Sequence, residues 1–392
     1  ALVDLPPRTS VTAKPYQLHP GTKLEGPAMP VSPAALAALQ SVHRYVPGGL
    51  RRAWNALRRR GRALLSRFRT PRPAQSGAAL AVAKPESAAE PWLESLAGVR
   101  VFLTGGNGFV GGHVARALVE AGAEVVALVR PDSPLGQLAD LPVNIVAGDL
   151  TRPAGLVAAL AGCRVCFHVA ALYAGAEQAE QMYAVNAGGT AALLAACAQA
   201  GVSRFVYTST VGTVGRPAQE AVAGAAAPDE SAAFNLWDYA SPYVRSKFAG
   251  ECIALSWQGM GLDVVVVKPT APVGAGDARP SATGRRILAA LTGETIPYPA
   301  GGINHAPVRD IAAGHLLAAL RGRPGACYIL GHARGNLDQA AFLRMVASGV
   351  GATVVPPATP ARQTTVALAL TADPARAIRE LGMPQSDLAA AF

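Results

Sequence analysis

Val99-Arg100-Val101-Phe102-Leu103-Thr104-Gly105-Gly106-Asn107-Gly108-Phe109-Val110-Gly111 is an apolar strand pattern that runs straight into three glycines spaced three apart. A helical pattern follows through His113, Arg116 and Leu118. In a strand–turn–helix of this kind the strand delivers the chain to a tight turn. Gly105 and Gly108 remove Cβ atoms where a dinucleotide pyrophosphate would approach, and Gly111 lets the helix lie close to the sheet. The free N–H groups of the first helical turn, at Phe109 and Val110, and the positive end of the helix dipole suit phosphate.

Outward from this stretch, strand and helix patterns alternate, which is the signature of an α/β, doubly wound parallel sheet of Rossmann type. Glu124–Val129 reads as the second strand and ends at Arg130, 19 residues beyond Gly111. A carboxylate there would accept the adenosine ribose hydroxyls of NAD, whereas an arginine pairs with the 2′-phosphate of NADP. NADP is therefore favoured over NAD, the bland alternative being a solvated loop arginine before Pro131. A third strand, Val143–Ala147, leads to Asp149 and Leu150, with Asp149 within reach of an adenine edge. Arg164–Val169 is the fourth; the small residues Ala170 and Ala171 after it leave room for a cofactor, although a strand entering a helix explains them nearly as well. From about Glu177 to Ala200 the pattern is helical, yet Asn186, Gly188 and Gly189 disfavour a regular helix unless something is gained.

The fifth strand, Arg204–Tyr207, opens into Thr208-Ser209-Thr210, hydroxyls at the carboxyl end of a parallel strand, where such sheets bind ligands. Tyr243 and Lys247 stand four apart on one helix face. A phenol is a poor base at neutral pH, and an ammonium beside it favours the phenolate. Thr210 can hold a substrate oxygen while Tyr243 exchanges its proton and a nicotinamide exchanges a hydride at the same carbon. Cys163 and Cys166 form a Cys-x-x-Cys with no second pair, which reads as buried strand packing rather than a redox or metal site.

With the glycine turn, Asp149, His168-Val169-Ala170-Ala171, Asn186, Thr208-Ser209-Thr210, Tyr243 and Lys247, the chain resembles the extended short-chain dehydrogenases/reductases, in particular their NAD-dependent epimerase/dehydratase family. Lys268–Asp277, Thr283-Gly284 and Ala312–Leu316 are similar to hopanoid-associated sugar epimerases and dihydroflavonol-4-reductase-like proteins. The resemblance covers about Val99 to Leu381. It implies NAD(P) bound by the Rossmann unit, with Pro269 and Lys247 among the contacts, and a smaller C-terminal region closing over a sugar nucleotide or a ketone. It also implies that Thr210 orients the substrate, Tyr243 is acid/base, and Lys247 holds the nicotinamide ribose and lowers the tyrosine pKa. Thr210 stands where many relatives have Ser. Pro307 and Arg309 replace a polar and an acidic residue near the substrate region.

The expected organisation is an extension over 1–97, a Rossmann domain over 98–270 with a return segment at about 304–330, and a substrate-binding region over 271–303 and 331–392. The 392 residues carry a net charge of +10, and 14 of the 35 basic residues but only 5 of the 25 acidic ones fall in the first 97. That extension is Pro-rich to about Pro33, has an Arg-rich amphipathic helix expected at about 50–69, and ends in a linker over 70–97. A basic amphipathic helix suits an acidic protein partner or an anionic membrane surface, or packing on its own domain; nucleic acid is disfavoured because no aromatic interleaving accompanies the charge. Five scattered cysteines, no signal pattern and no long apolar run point to a cytoplasmic location, peripheral to a membrane or bound to a large complex, with a homodimer as one possible state. The expected function is an active NAD(P)-dependent epimerase or reductase. The alternative is a fold retained as a structural subunit of a large assembly, for which an epimerase-like subunit of respiratory complex I is a family-level precedent.

Overall fold

In the computed structural model, which describes residues 95–216, 226–294, 297–299, 301–351 and 369–392, the glycine-rich stretch joins strand β1 (Arg100–Thr104) to helix α1 (Phe109–Glu120). The amphipathic helix expected at about 50–69 and most of the 70–97 linker lie outside the described residues. The remaining strands are β2 (Glu124–Val129), β3 (Asn144–Ala147), β4 (Val165–His168), β5 (Arg204–Thr208), β6 (Asp263–Pro269), β7 (Ala271–Val273), β8 (Ile303–Pro307), β9 (Cys327–Leu330) and β10 (Asn336–Leu337). The remaining helices are α2 (Leu156–Ala159), α3 (Ala179–Tyr183), α4 (Thr190–Ala200), α5 (Pro242–Ser256), α6 (Ala282–Thr292), α7 (Val308–Arg321) and α8 (Gln339–Val350).

Seven strands form one parallel sheet in the order β3-β2-β1-β4-β5-β6-β9. The order reverses at β1, which pairs with β2 on one side and β4 on the other, so a crevice opens at the carboxyl ends beside the glycine turn. Period-two alternation divides β1 between two cores. Val101 and Leu103 pack on the face covered by α1 and α7, with Leu118, Ile311 and Ala318. Phe102 packs on the opposite face with Leu193, Leu194 and Ala254 of α4 and α5. Cys163 and Cys166 are buried in this second core as free thiols, without a disulfide.

Leu96, inside the stretch read as linker, is 2 % exposed and belongs to the first core. Strands β7, β8 and β10 make a separate three-stranded sheet. Its core joins Ile303 and Leu337 to Ala290 of α6 and Phe342 of α8. Of the return segment, α7 and β9 pack on or join the large sheet, while Ile303–Pro307 belongs to the small one. The helix expected from about Glu177 to Ala200 is interrupted by a π-helical turn, Ala184–Gly189, between α3 and α4. Among the described residues, no helix is long and apolar enough to cross a membrane.

Candidate active site

Gly105 has φ +74°, and a Cβ there would lie 2.6 Å from the Ala170 backbone nitrogen, so the turn is pressed against the end of β4. A Cβ on Gly111 would lie 2.0 Å from the Gly105 carbonyl oxygen; helix α1 therefore closes on the turn itself more tightly than on the sheet. Gly108 differs from both. Its Cβ would meet only the Gly105 oxygen at 3.3 Å, so the protein leaves open space where the helix begins. Gly108 is the N-cap and makes no side-chain cap, so the N–H groups of the first helical turn, Phe109, Val110 and Gly111, have no side-chain acceptor there.

The far end of the crevice is basic. Arg130 is exposed just after β2, its Nε donating to Ser133 Oγ at 3.3 Å. Arg152 lies 3.9 Å from Asp149, and Arg130 also acts on Asp149 electrostatically. Asp149 Oδ1 accepts from the Thr151 nitrogen at 2.8 Å and the Thr151 hydroxyl at 2.7 Å. These bonds hold its carboxyl below the usual range. Leu150 is 6 % exposed, its side chain part of the core, while Pro269 closes β6.

Ser241 caps α5 by accepting from the Val244 nitrogen, and Pro242 starts the helix. Tyr243, the next residue, and Lys247, one turn on, share a face. Thr210 follows β5, its hydroxyl accepting from the Gly212 nitrogen at 3.3 Å. Gly212 abuts Val244, where a Cβ would come within 2.9 Å of the valine methyl, so the Thr210 turn adjoins the helix that bears Tyr243.

Three sets of contacts fix α5. Asn186, from the π turn, accepts from the Leu172 nitrogen at 2.7 Å and donates to the Leu172 carbonyl and to Ser246 Oγ, both at 2.9 Å. Ser246 Oγ donates in turn to the Tyr243 carbonyl at 2.8 Å, and the Tyr207 hydroxyl donates to the Lys247 carbonyl at 3.0 Å. On the other side of the π turn, Thr190 Oγ1 donates to the Asn186 carbonyl at 2.7 Å. With that proton committed, His168 Nε2 is the donor to Thr190 at 2.9 Å, and His168 Nδ1 accepts from Thr104 Oγ1 at 2.7 Å. Burial lowers His168 to about 3, so it stays neutral and acts as a rigid spacer between the glycine turn and the π turn.

Burial also governs Tyr243 and Lys247. It pushes the Tyr243 phenol up, helped by Tyr173, whose ring meets it edge-on at 4.8 Å. It brings the Lys247 ammonium down to about 7, against an upward pull from Glu251. Lys247 Nζ lies 4.5 Å from the centre of the Tyr207 ring. The expected lowering of the phenol by Lys247 is not among the effects acting on it: desolvation and Tyr173 both raise it, and Tyr243 is protonated at neutral pH. Sequence reasoning missed Tyr173, 59 % exposed in an irregular loop with no pattern to mark it. It also missed Ser246, which the Tyr-x-x-Ser-Lys spacing carries in plain view, and Arg152. A cleft of about 530 Å³ beside Phe109, bounded by Gly274, Asp277, Leu288 and Phe392, includes none of Thr210, Tyr243 and Lys247.

The sequence profile described as "NAD dependent epimerase/dehydratase family" matches residues 101–331. The chain belongs to that family. It is 40 % identical over 236 residues, 59 % of this chain and 67 % of the other, to a Synechocystis protein provisionally named dihydroflavonol 4-reductase. It is 33 % identical over 229 residues to sterol demethylase protein B of Methylococcus capsulatus, covering 58 % of this chain and 68 % of that one. Among solved structures it is similar to the dTDP-glucose 4,6-dehydratase of Streptomyces venezuelae with NAD and TYD bound: TM-score 0.63, 25 % identity, 75 % of this chain and 94 % of that one. The family member described here is thus an NAD(P)-dependent oxidoreductase or epimerase by kinship.

Proposed function

We propose that this family member reduces a ketone to a secondary alcohol, or runs the reverse oxidation, with NADP as the preferred cofactor. The observation that carries the reading is the half-buried Tyr243 and the buried Lys247 on one face of α5, next to the turn that bears Thr210. The uncapped start of α1 and the space at Gly108 fit a pyrophosphate, and Arg130 with Arg152 fits a 2′-phosphate. When bound, the nicotinamide supplies the hydride. Thr210 Oγ1 donates to the substrate oxygen and fixes its position. Tyr243, held protonated by its surroundings, gives that oxygen its proton, and the Lys247 ammonium stabilises the phenolate left behind. Reduction is favoured because burial maintains the acid form of the phenol. A second reading, oxidation and re-reduction of a sugar nucleotide, is supported by the likeness to the dTDP-glucose dehydratase and shares the first hydride transfer.

The experiment is NADPH oxidation with a dihydroflavonol and, separately, conversion of dTDP-glucose with NAD. Tyr243→Phe is expected to reduce turnover at least 100-fold while the cofactor dissociation constant, read by nicotinamide fluorescence, stays within twofold. Arg130→Ala is expected to weaken NADPH at least tenfold more than NADH. Full turnover in Tyr243→Phe would remove the mechanism, and equal losses in Arg130→Ala would remove the 2′-phosphate assignment.

A further inference from the structure

Beside Thr210 lies a buried polar cluster that the hydride chemistry does not use. Glu251, two turns along α5 from Tyr243, and Lys268, on β6, form an ion pair at 2.6 Å with side chains 7 % and 6 % exposed. The pair is not closed on itself. Glu251 Oε2 accepts from Ser209 Oγ at 2.6 Å and from Thr213 Oγ1 at 2.9 Å, and Lys268 Nζ donates to Thr213 Oγ1 at 2.9 Å. Ser209 and Thr213 are the residues on either side of the Thr210 turn, and Thr213 Oγ1 also lies 2.9 Å from the Thr210 carbonyl, within hydrogen-bonding reach.

A buried ion pair is a poor way to gain stability, because desolvating two charges offsets much of their attraction; well-packed apolar replacements are often as stable or more so. What a fully bonded pair does well is fix geometry. Here the two charges come from α5 and β6, and the groups they hold belong to the loop after β5. We propose that Glu251 and Lys268 are positioning residues, which lock the Thr210 hydroxyl in register with Tyr243 by gripping Ser209 and Thr213. The inference rests on the proposed role of Thr210. It assigns to Glu251 and Lys268 a part in turnover without contact with the reacting atoms.

The test uses the full chain with NADPH and the dihydroflavonol or dTDP-glucose probe, whichever the parent turns over, and follows the Thr210 methyl group by ¹³C NMR with NADP bound, assigned through Thr210→Ser. The double variant Glu251→Leu/Lys268→Met removes both charges together, so that neither is stranded. It is expected to melt near the parent, to shift the Thr210 methyl resonance, and to lose turnover about tenfold or more with KM and the NADPH dissociation constant within twofold. Ser209→Ala/Thr213→Val cuts the links but leaves the ion pair in place, and is expected to do the same; it stands alone should the first variant fail to fold. An unmoved Thr210 methyl, or turnover equal to the parent in a folded variant, overturns the proposal. Thr210→Ala separates the two levels. If it turns over like the parent, the reading of Thr210 has failed; if it is slow while the clamp variants are fast, only the clamp has failed.

Discussion

A lysine whose ammonium is lost near neutrality shares a helix face with a phenol that stays protonated well beyond it, and the pH dependence of the proposed reduction follows from the two together. Burial brings Lys247 from 10.5 to about 7, so the ammonium is present below that pH and is lost as the pH rises through it. Tyr243 is shifted the other way and remains an acid throughout. The rate of ketone reduction, measured with saturating NADPH, is therefore expected to be level below pH 6 and to fall as pH rises through about 7. Lys247→Met removes the inflection as well as most of the rate. The same shift acts on stability with a definite sign. The folded pKa lies below the unfolded one, so the cost of burying the ammonium is present in full below about 7 and is relieved as pH rises towards 10.5. Lys247→Met is accordingly expected to melt higher than the parent at pH 6, with the difference shrinking by pH 10. An inflection that survives in Lys247→Met would assign the titration to another group.

The π turn Ala184–Gly189 is the element that links the helix bearing these residues to the end of β1. It carries Asn186 to Ser246 on one side, and through Thr190 and His168 to Thr104 on the other. Helix α5 comes close enough to make these bonds because residue 250 lacks a side chain. A Cβ there would fall 2.4 Å from the Tyr207 hydroxyl and 2.5 Å from the Asn186 carbonyl. Gly250→Ala is expected to push α5 outward at a cost of about 1–3 kcal/mol, read by urea unfolding, and to lower turnover more than it weakens NADPH binding. A variant with parent-like stability and turnover would show that the packing here tolerates a methyl group. Much of this element was legible in advance: Asn186 and two glycines inside a helical pattern mark a place where propensity is overridden. The strands and the glycine turn were legible for a simpler reason, since their signals are periodic and local. The contacts that fix the site were not. Thr104 meets His168 across 64 positions and Glu251 meets Lys268 across 17, and nothing in the local pattern states which polar side chains will face one another.

At the scale of the whole molecule the question is where the catalytic unit begins and what the basic extension adds. Gly98, φ +69°, donates its N–H to the Gly122 carbonyl, and the Val99 N–H bonds back to the Leu96 carbonyl, so the turn ahead of β1 is already part of the fold. Leu96 fills a site in the first core at 2 % exposure. A boundary drawn from composition alone, at 97, cuts through this contact because a Pro- and Ala-rich linker and a core leucine read alike in sequence. Two truncations separate the readings. A chain starting at residue 95 is expected to fold, bind NADPH and melt within a few degrees of the full chain. One starting at residue 98 loses the Leu96 side chain from the core and is expected to be less stable by about 2–4 kcal/mol, read as a lower urea midpoint. Purified gently beside the full chain, the 95-start form also tests the tether: acidic proteins or anionic vesicles retained by the full chain and lost from the truncated one assign the extension to docking. Equal retention by both would place the docking surface on the catalytic unit, and the 21 basic and 20 acidic residues from 98 onward give that unit little net charge with which to attract an acidic partner.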